Sequence, residues 1–382
     1  MDTKILIGAD IVPTKSNYVE FIEGNVESLV GKTMCDLLHE MDFTIFNLEV
    51  PLTDVISPLQ KCGPNLQALS KTINGIKKLN PYFFTLANNH ILDQSVQGLK
   101  STMEILNREN IKYAGAGNDL KEASKPFVFE KNGIKIGIYC CAEREFSIAT
   151  ENKAGANPFD PLFSLDHIRL LKKDVDYVIV LYHGGKEHYR FPSPNLQKTC
   201  RRIVDSGADL VVCQHSHCIG CYEDWETGKI IYGQGNFLFD DSDSEFWKTS
   251  LLIEIIFKSK NDFSIKYIPI IKVGNGIRLA ENEKKVEIIN GFEDRSKRII
   301  ESAFIETEYS KFAQQYINTY LRTGMPHNTS LFNRVFNKLS KGTWFERRIT
   351  KEQKLALCNY LECEAHRELF LQGLKESLRK SS

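Results

Sequence analysis

The sequence predicts a layered α/β fold followed by a helical appendage. Short apolar runs recur through the first 240 or so residues, and each ends in a polar tip. Helical spacing of apolar residues fills most of the intervals between them, the alternation that gives layered α/β architectures. Near residue 290 the strand signals stop and amphipathic helical patterns take over.

The chain has 382 residues, with 49 basic and 49 acidic side chains. Its length allows one large domain or two medium ones. Balanced charge gives no electrostatic reason to expect nucleic acid or an anionic membrane as partner. No stretch reaches the roughly 18 uncharged apolar residues of a membrane span. Residues 1–7 enter a strand pattern at once, without a basic segment, an apolar segment and a cleavage site. A soluble, cytoplasmic chain with no integral membrane segment is the expectation.

The elements follow in order. Residues 4–7 form a first strand ending at Gly8, Ala9 and Asp10. Residues 25–40 carry Val26, Leu29, Val30, Met34, Leu37 and Leu38 at helical spacing. A second strand, 43–46, ends at Asn47, Leu48 and Glu49, and 65–79 is helical by its Leu66, Leu69, Ile73 and Ile76. A third strand, 82–86, ends at Asn88, Asn89 and His90. Asp93 or Ser95 then caps a helix reaching Asn110. Asn132-Gly133 joins two strands in a hairpin, and 142–162 lacks periodicity and is expected to be an exposed loop. A helix at 165–173 precedes a strand at 177–182 that ends at His183, Gly184 and Gly185. A loop holding His188, Tyr189 and Arg190, expected to be solvated, leads to a helix at 195–206. Strand 209–213 ends at Gln214, His215, Ser216 and His217, and strand 229–232 ends at Gly233 to Asn236. Residues 250–257 and 263–271 read as an antiparallel pair at a sheet edge. The expected domains are 1–290 and a helical region, 291–382.

The appendage opens with an aromatic stripe over 297–322, including Phe304, Tyr309, Phe312, Tyr316 and Tyr320, read as packing surface. Gly324, Met325 and Pro326 stop it, Leu331, Phe332, Val335, Phe336 and Leu339 mark a short helix, and Thr350 with Gln353 forms a capping box before a helix to Leu378.

Six strand ends thus offer Asp10, Glu49, Asn89 with His90, His183, His215 with His217, and Asn236. In open α/β sheets, ligands bind beyond the carboxyl ends of the strands. Carboxylate, amide and imidazole together suit a pair of borderline divalent metals. A lone histidine at a strand tip is more often a satisfied polar residue, but four spread over three tips point to a site. Asn236 reads as support for the loop of His215 and His217. Of the ten cysteines, Cys218 and Cys221 stand at metal-binding spacing beside His217. Buried thiols are the simpler reading of that pair, and a small structural zinc site the alternative.

These motifs, in this order over residues 3–272, resemble the CapA family of poly-γ-glutamate capsule biosynthesis proteins, within the calcineurin-like metallophosphoesterase superfamily. The resemblance rests on Asp10, the segments 47–53 and 86–93, His183 with the segment to Pro194, 206–217, and 232–239. It implies a four-layer α/β/β/α sandwich with a two-metal site at the strand ends. By resemblance, Asp10 and His217 hold the first metal, Glu49 bridges, and Asn89, His183 and His215 hold the second. His90 takes the place of the acid that protonates a leaving group, and Asp93 orients it. The implied cofactors are one or two divalent ions among Mn, Fe and Zn. The implied function is hydrolysis of a phosphoester or related anionic substrate, small or polymeric.

The sequence departs from the superfamily at two points. Ile11 and Val12 follow Asp10 where Asp-x-His is usual, and Glu49 stands where an Asp is usual. The other reading is therefore a non-hydrolytic component of capsule or poly-γ-glutamate biosynthesis. It would have a vestigial metal site and a helical tail that docks a capsule-biosynthesis protein.

Overall fold

A computed structural model describes residues 2–324, 335, 338, 339 and 349–380. Its strands are β1 (Thr3–Val12), β2 (Phe43–Leu48), β3 (Phe83–Thr85), β4 (Lys112–Ala114), β5 (Ala116–Gly117), β6 (Phe127–Lys131), β7 (Ile134–Ala142) and β8 (Gly155–Ala156). They continue with β9 (Tyr177–His183), β10 (Leu210–Gln214), β11 (Tyr222–Trp225), β12 (Gly228–Ile231), β13 (Asn236–Phe239), β14 (Thr249–Ser259), β15 (Asp262–Val273) and β16 (Gly276–Leu279).

One sheet runs β16-β15-β14-β1-β2-β3-β4, with β13 beside the far end of β1. The second runs β11-β12-β10-β9-β7-β6. Strands β1 to β4 are mutually parallel, as are β7, β9, β10 and β12. Their carboxyl ends are the expected polar tips.

The period-2 alternation of strand side chains explains the layers. Ile5, Ile7, Ile45 and Phe83 from the first sheet share one core with Ile136, Ile138, Ile179, Leu181 and Val212 from the second. Their neighbours Leu6, Phe46 and Phe84 face outward, against Phe21, Leu29, Leu38, Leu99 and Leu106. On the far side, Tyr139, Val180 and Val211 pack on Ile168, Leu171, Leu196 and Ile203. Two sheets face each other and helices cover both outer faces. This is the four-layer α/β/β/α sandwich.

Local chemistry sets the ends of several elements. Ser193 Oγ accepts from Leu196 N at 3.1 Å and caps helix Pro194–Asp205, whose first residue is a proline. Asn132 (φ 54°) and Gly133 (φ 75°) turn the β6–β7 hairpin.

Other elements differ from expectation. The helix expected over 25–40 is two, Val26–Val30 and Lys32–Glu40, broken at Gly31 with φ 78° and ψ 156°. Arg278 donates to Leu29 O at 2.7 Å and Ser28 O at 3.0 Å, carbonyls a continuous helix would use itself. The segment 65–79 holds only short turns of helix between Ser70 and Leu79. Strand β15 is not an edge, because β16 pairs beyond it.

Residues 142–162 are not an exposed loop. Ser147, Ala149, Ala154, Ala156 and Asn157 are buried, β8 pairs with β5, and Asn157 Nδ2 donates to Cys140 O at 2.7 Å. The buried residues here are small or polar, so they leave no hydrophobic periodicity.

The chain divides into two compact units, Met1–Glu306 and Thr307–Ser382. The boundary expected at 290 falls inside helix Asn282–Arg298. Its Ile288 and Phe292 enter the core between the sheets, with the Phe292 ring 4.9 Å from Tyr267 and 5.2 Å from Tyr222. That helix closes one end of the sandwich. Phe304 then packs 5.1 Å from Phe191. The aromatic stripe runs along helix Phe304–Gly324, with Phe312 and Tyr316 in contact at 4.5 Å.

In the second unit Thr350 and Gln353 form the expected capping box, with both reciprocal hydrogen bonds made. The long helix expected after it is two, Lys351–Glu362 and Glu364–Lys380. Of the short helix expected through Leu331, Phe332, Val335, Phe336 and Leu339, Val335 and Leu339 are helical and exposed and the other three lie outside the described residues, as do Met325 and Pro326 of the stop signal, whose Gly324 is the last residue of helix Phe304–Gly324. Among the described residues, no helix is long and apolar enough to cross a membrane.

Candidate metal centre

Asp10 lies where β1 loses regular register. Pairing with β2 shifts between Ile7 and Asp10 and resumes at Asp10 opposite Asn47. Two buried amides serve the carbonyls at this irregularity. Gln214 donates to Gly8 O at 3.2 Å, and Gln234 donates to Ile7 O at 3.1 Å. Gln214 also donates to Gln234 Oε1 at 3.1 Å. The end of β10 in one sheet is thereby tied to β1 in the other, which brings the two sets of strand tips together.

From the first sheet come Asp10, Glu49 and Asn89. Asn47 Nδ2 donates to Asp10 Oδ1 at 2.8 Å. Asn88 Nδ2 donates to Asn47 Oδ1 at 3.0 Å and to Leu48 O at 2.9 Å. Asn88 Oδ1 accepts from His90 N at 3.2 Å, so Asn88 organises the turn and leaves Asn89 to face the site. From the second sheet come His183 at the end of β9, and His215 and His217 beyond β10. His215 has φ 97° and His217 φ 52°. Such backbone costs about 1–3 kcal/mol per residue and concentrates at functional sites. Asn236 accepts from His217 Nδ1 at 2.8 Å, the supporting role expected of it.

The side chains gather into two groups that share Glu49. Glu49, His183 and His215 form one; Asp10, Glu49 and His217 form the other. In each, the possible ligand atoms lie within 4.8 Å of one another, and all these residues are buried. Asn89 Oδ1 joins the first group, 3.0 Å from His183 Nε2. That same nitrogen is 3.1 Å from His215 Nδ1 and 3.2 Å from Glu49 Oε1. One ring proton cannot serve three such neighbours, whereas one cation accepts a lone pair from each. Asp10 Oδ2 and both Glu49 carboxylate oxygens are buried without a hydrogen-bond partner. Buried carboxylates in that state are costly unless paired or bound to metal. The oxygen and nitrogen donors fit Mn, Fe or Zn.

The electrostatics fit the same reading. Burial and the nearby Glu49 charge raise the Asp10 pKa. Burial opposes ionisation of Glu49 too, but His183, His217 and His90 outweigh it and hold Glu49 below the usual carboxylate range. Burial pulls His217 down, but the adjacent Asp10 and Glu49 carboxylates and the bond to Asn236 outweigh that and lift it to about 9. The Glu49 charge likewise overcomes burial at His183 and raises it. His215 is pushed well below its ordinary value by burial and by the charges on His183 and His217. It is a neutral imidazole at physiological pH, the form that ligates metal.

His90 stands beside Asn89 with Nδ1 at 2.6 Å from Asp93 Oδ2. Asp93 is not a helix cap. Helix Ser95–Arg108 starts after Gln94 without a side-chain cap, because the Asp93 carboxylate is engaged by His90, by Leu66 N at 2.6 Å and by Lys61 Nζ at 2.5 Å. Lys61 was not legible as part of the site. It lies in a loop with no motif, and only folding brings it to Asp93.

Glu145 was also missed, its Oε1 lying 3.9 Å from His215 Nε2. Nor is the loop of His188, Tyr189 and Arg190 simply solvated, because His188 and Arg190 are half-buried and make side-chain contacts. The His188 ring stacks on Phe246 at 5.3 Å and accepts from Trp247 Nε1 at 2.9 Å. Tyr189 is buried, and Arg190 donates to Ile219 O at 3.1 Å. Trp247, 4.9 Å from His217, forms an aromatic wall beside the centre. Aromatics at 246 and 247 sit in an acidic, irregular stretch that carried no strand or helix signal. Cys218 and Cys221 are buried free thiols, and among the described residues neither belongs to a group able to share an ion.

The profile of a family described as "Bacterial capsule synthesis protein PGA_cap" matches residues 10–241. The chain is 31% identical over 209 residues to the "PGA biosynthesis protein CapA" of Bacillus subtilis (strain 168), covering 53% of this chain and 55% of that protein. It is 28% identical over 242 residues to the "Capsule biosynthesis protein CapA" of Bacillus anthracis, covering 61% and 59%. The chain thus spans little more than half the length of these curated relatives. Among solved structures, it is similar to a "novel phosphatase" of Mycoplasma pneumoniae at 15% identity and a TM-score of 0.44, covering 71% of this chain and 94% of that one.

Proposed function

The chain belongs to the bacterial capsule synthesis protein family PGA_cap, and we propose that it is a metal-dependent hydrolase of the metallophosphoesterase-like class. The substrate in this reading is a phosphoester or related anion, small or polymeric. The observation that carries it is the pair of buried ligand groups meeting at Glu49, with three carboxylate oxygens lacking a hydrogen-bond partner.

Asp10, Glu49 and His217 would hold one divalent ion, and Glu49, Asn89, His183 and His215 the other. When bound, the ions would supply Lewis acidity and acidify a coordinated water. Two divalent ions exceed the charge of Asp10 and Glu49, so the centre favours an anionic substrate. The chain's own residues set the geometry. Glu49 fixes the spacing of the two groups, and Asn47 and Asn236 hold Asp10 and His217. Asp93 holds His90 by Nδ1, which leaves Nε2 to deliver a proton to the leaving oxygen.

The test is turnover of aryl and alkyl phosphate mono- and diesters by protein loaded with Mn, Fe or Zn. Turnover lost in Glu49→Gln supports the reading. Full metal loading with no turnover on any ester contradicts it. That result would favour a non-hydrolytic capsule or poly-γ-glutamate biosynthesis component whose helical region docks a partner. One observation speaks for this second reading: Ile11 and Val12 are buried among apolar side chains. The Asp10 group therefore draws no imidazole from β1.

A further inference from the structure

Residues 53–68 form a segment bound along its length to the corner that carries His90. Ser57 N donates to Gln94 Oε1 at 2.8 Å, and Gln94 Nε2 donates to Leu66 O at 3.1 Å. Ser95 Oγ donates to Ser57 O at 2.8 Å, and Leu59 N to Asp93 O at 3.0 Å. At the centre of this contact, Lys61 Nζ reaches Asp93 Oδ1, with side chains only 3% and 0% exposed. A lysine so deeply buried is rare unless paired. Here it meets the carboxylate whose other oxygen holds His90 Nδ1.

We propose that Lys61 is a positioning residue for the reaction, acting on His90 through Asp93. This rests on the reading of His90 as the proton donor. Asp93 has two oxygens and three partners. Leu66 N and Lys61 fix the carboxylate in place. The carboxylate so held pairs with His90 Nδ1 and turns Nε2 toward the centre. Without Lys61, a buried negative charge loses its counter-ion. Asp93 then rotates away from its present place, and His90 loses its orienting bond while the metal ligands stay intact.

A merely structural lysine would stabilise the 53–68 segment and leave the His90 ring alone. The test separates the two. The full chain, loaded with Zn and with ¹⁵N-labelled histidine, is examined by NMR for the downfield, slowly exchanging Nδ1 proton expected of a short His–Asp bond. The signal is assigned by its loss in His90→Asn. It should persist in Lys61→Arg and vanish or move upfield in Lys61→Met, with zinc content unchanged. Lys61→Gln takes the place of Lys61→Met if that variant does not fold.

On an aryl phosphate, Lys61→Met should lower kcat about 10–100-fold with little change in KM, a loss like that for partners that orient metal-bound histidines. The loss should grow with poorer leaving groups. In an Asp93→Asn background, Lys61→Met should have no further effect. An unchanged His90 signal in Lys61→Met overturns the proposal, as does an equal loss of rate in both backgrounds. If the wild-type chain turns over no ester, the functional reading fails while the NMR signal still decides the role of Lys61.

Discussion

Asn89 Oδ1 and His183 Nε2 lie 3.0 Å apart although they stand at the tips of strands in different sheets. The contact marks where the two halves of the sandwich jointly make one centre. Each half alone offers an incomplete ligand set.

Because Glu49 belongs to both groups, its loss should act on both ions. Metal content after Glu49→Gln should fall far more than after His217→Ala, which leaves the Glu49, His183 and His215 group complete. Elemental analysis of protein purified without chelators checks this. Equal losses in both variants would contradict a shared carboxylate.

His90 has a different task. His90→Asn should lower kcat by roughly 10²–10⁴-fold, the usual contribution of a general acid, while metal content stays at the wild-type level. Loss of metal in that variant would make His90 a ligand instead.

Helix Asn282–Arg298 should be indispensable to the sandwich. Phe292 is fully buried between the sheets, so Phe292→Ala should cost about 3–5 kcal/mol of stability. A chain ending at 290 should unfold or aggregate, whereas one ending at 306 should give a cooperative melt. Equal melting of the two shortened chains would show that the helix is dispensable.

Thiol reactivity reports the same packing. Burial pushes the Cys140 thiol up to about 12 and Cys218 up to about 11. A raised pKa means less thiolate at any lower pH, so both should resist alkylation at pH 8. Cys62 and Cys358 are exposed and should react first. Mass spectrometry of the native and the denatured protein, labelled at that pH, distinguishes the classes.

The strands and their tips were legible because the chemistry is local. A short, continuous apolar run that ends in Asn-Asn-His or His-Ser-His signals both an element and a ligand. What stayed hidden depends on contacts between distant residues. The break at Gly31 requires Arg278 on β16, and the burial of 142–162 is achieved by alanine and serine. Lys61 and Trp247 gain meaning only from what they touch. The helix at 282–298 was missed because its core contacts, Ile288 and Phe292, are few among charged neighbours.

The central claim is that two divalent ions meet at Glu49, and metal stoichiometry tests it most directly. Protein purified without chelators, then supplemented with Mn, Fe or Zn, should hold close to two ions per chain, and Glu49→Gln should hold close to none. A wild-type chain that binds no metal after supplementation would contradict the account.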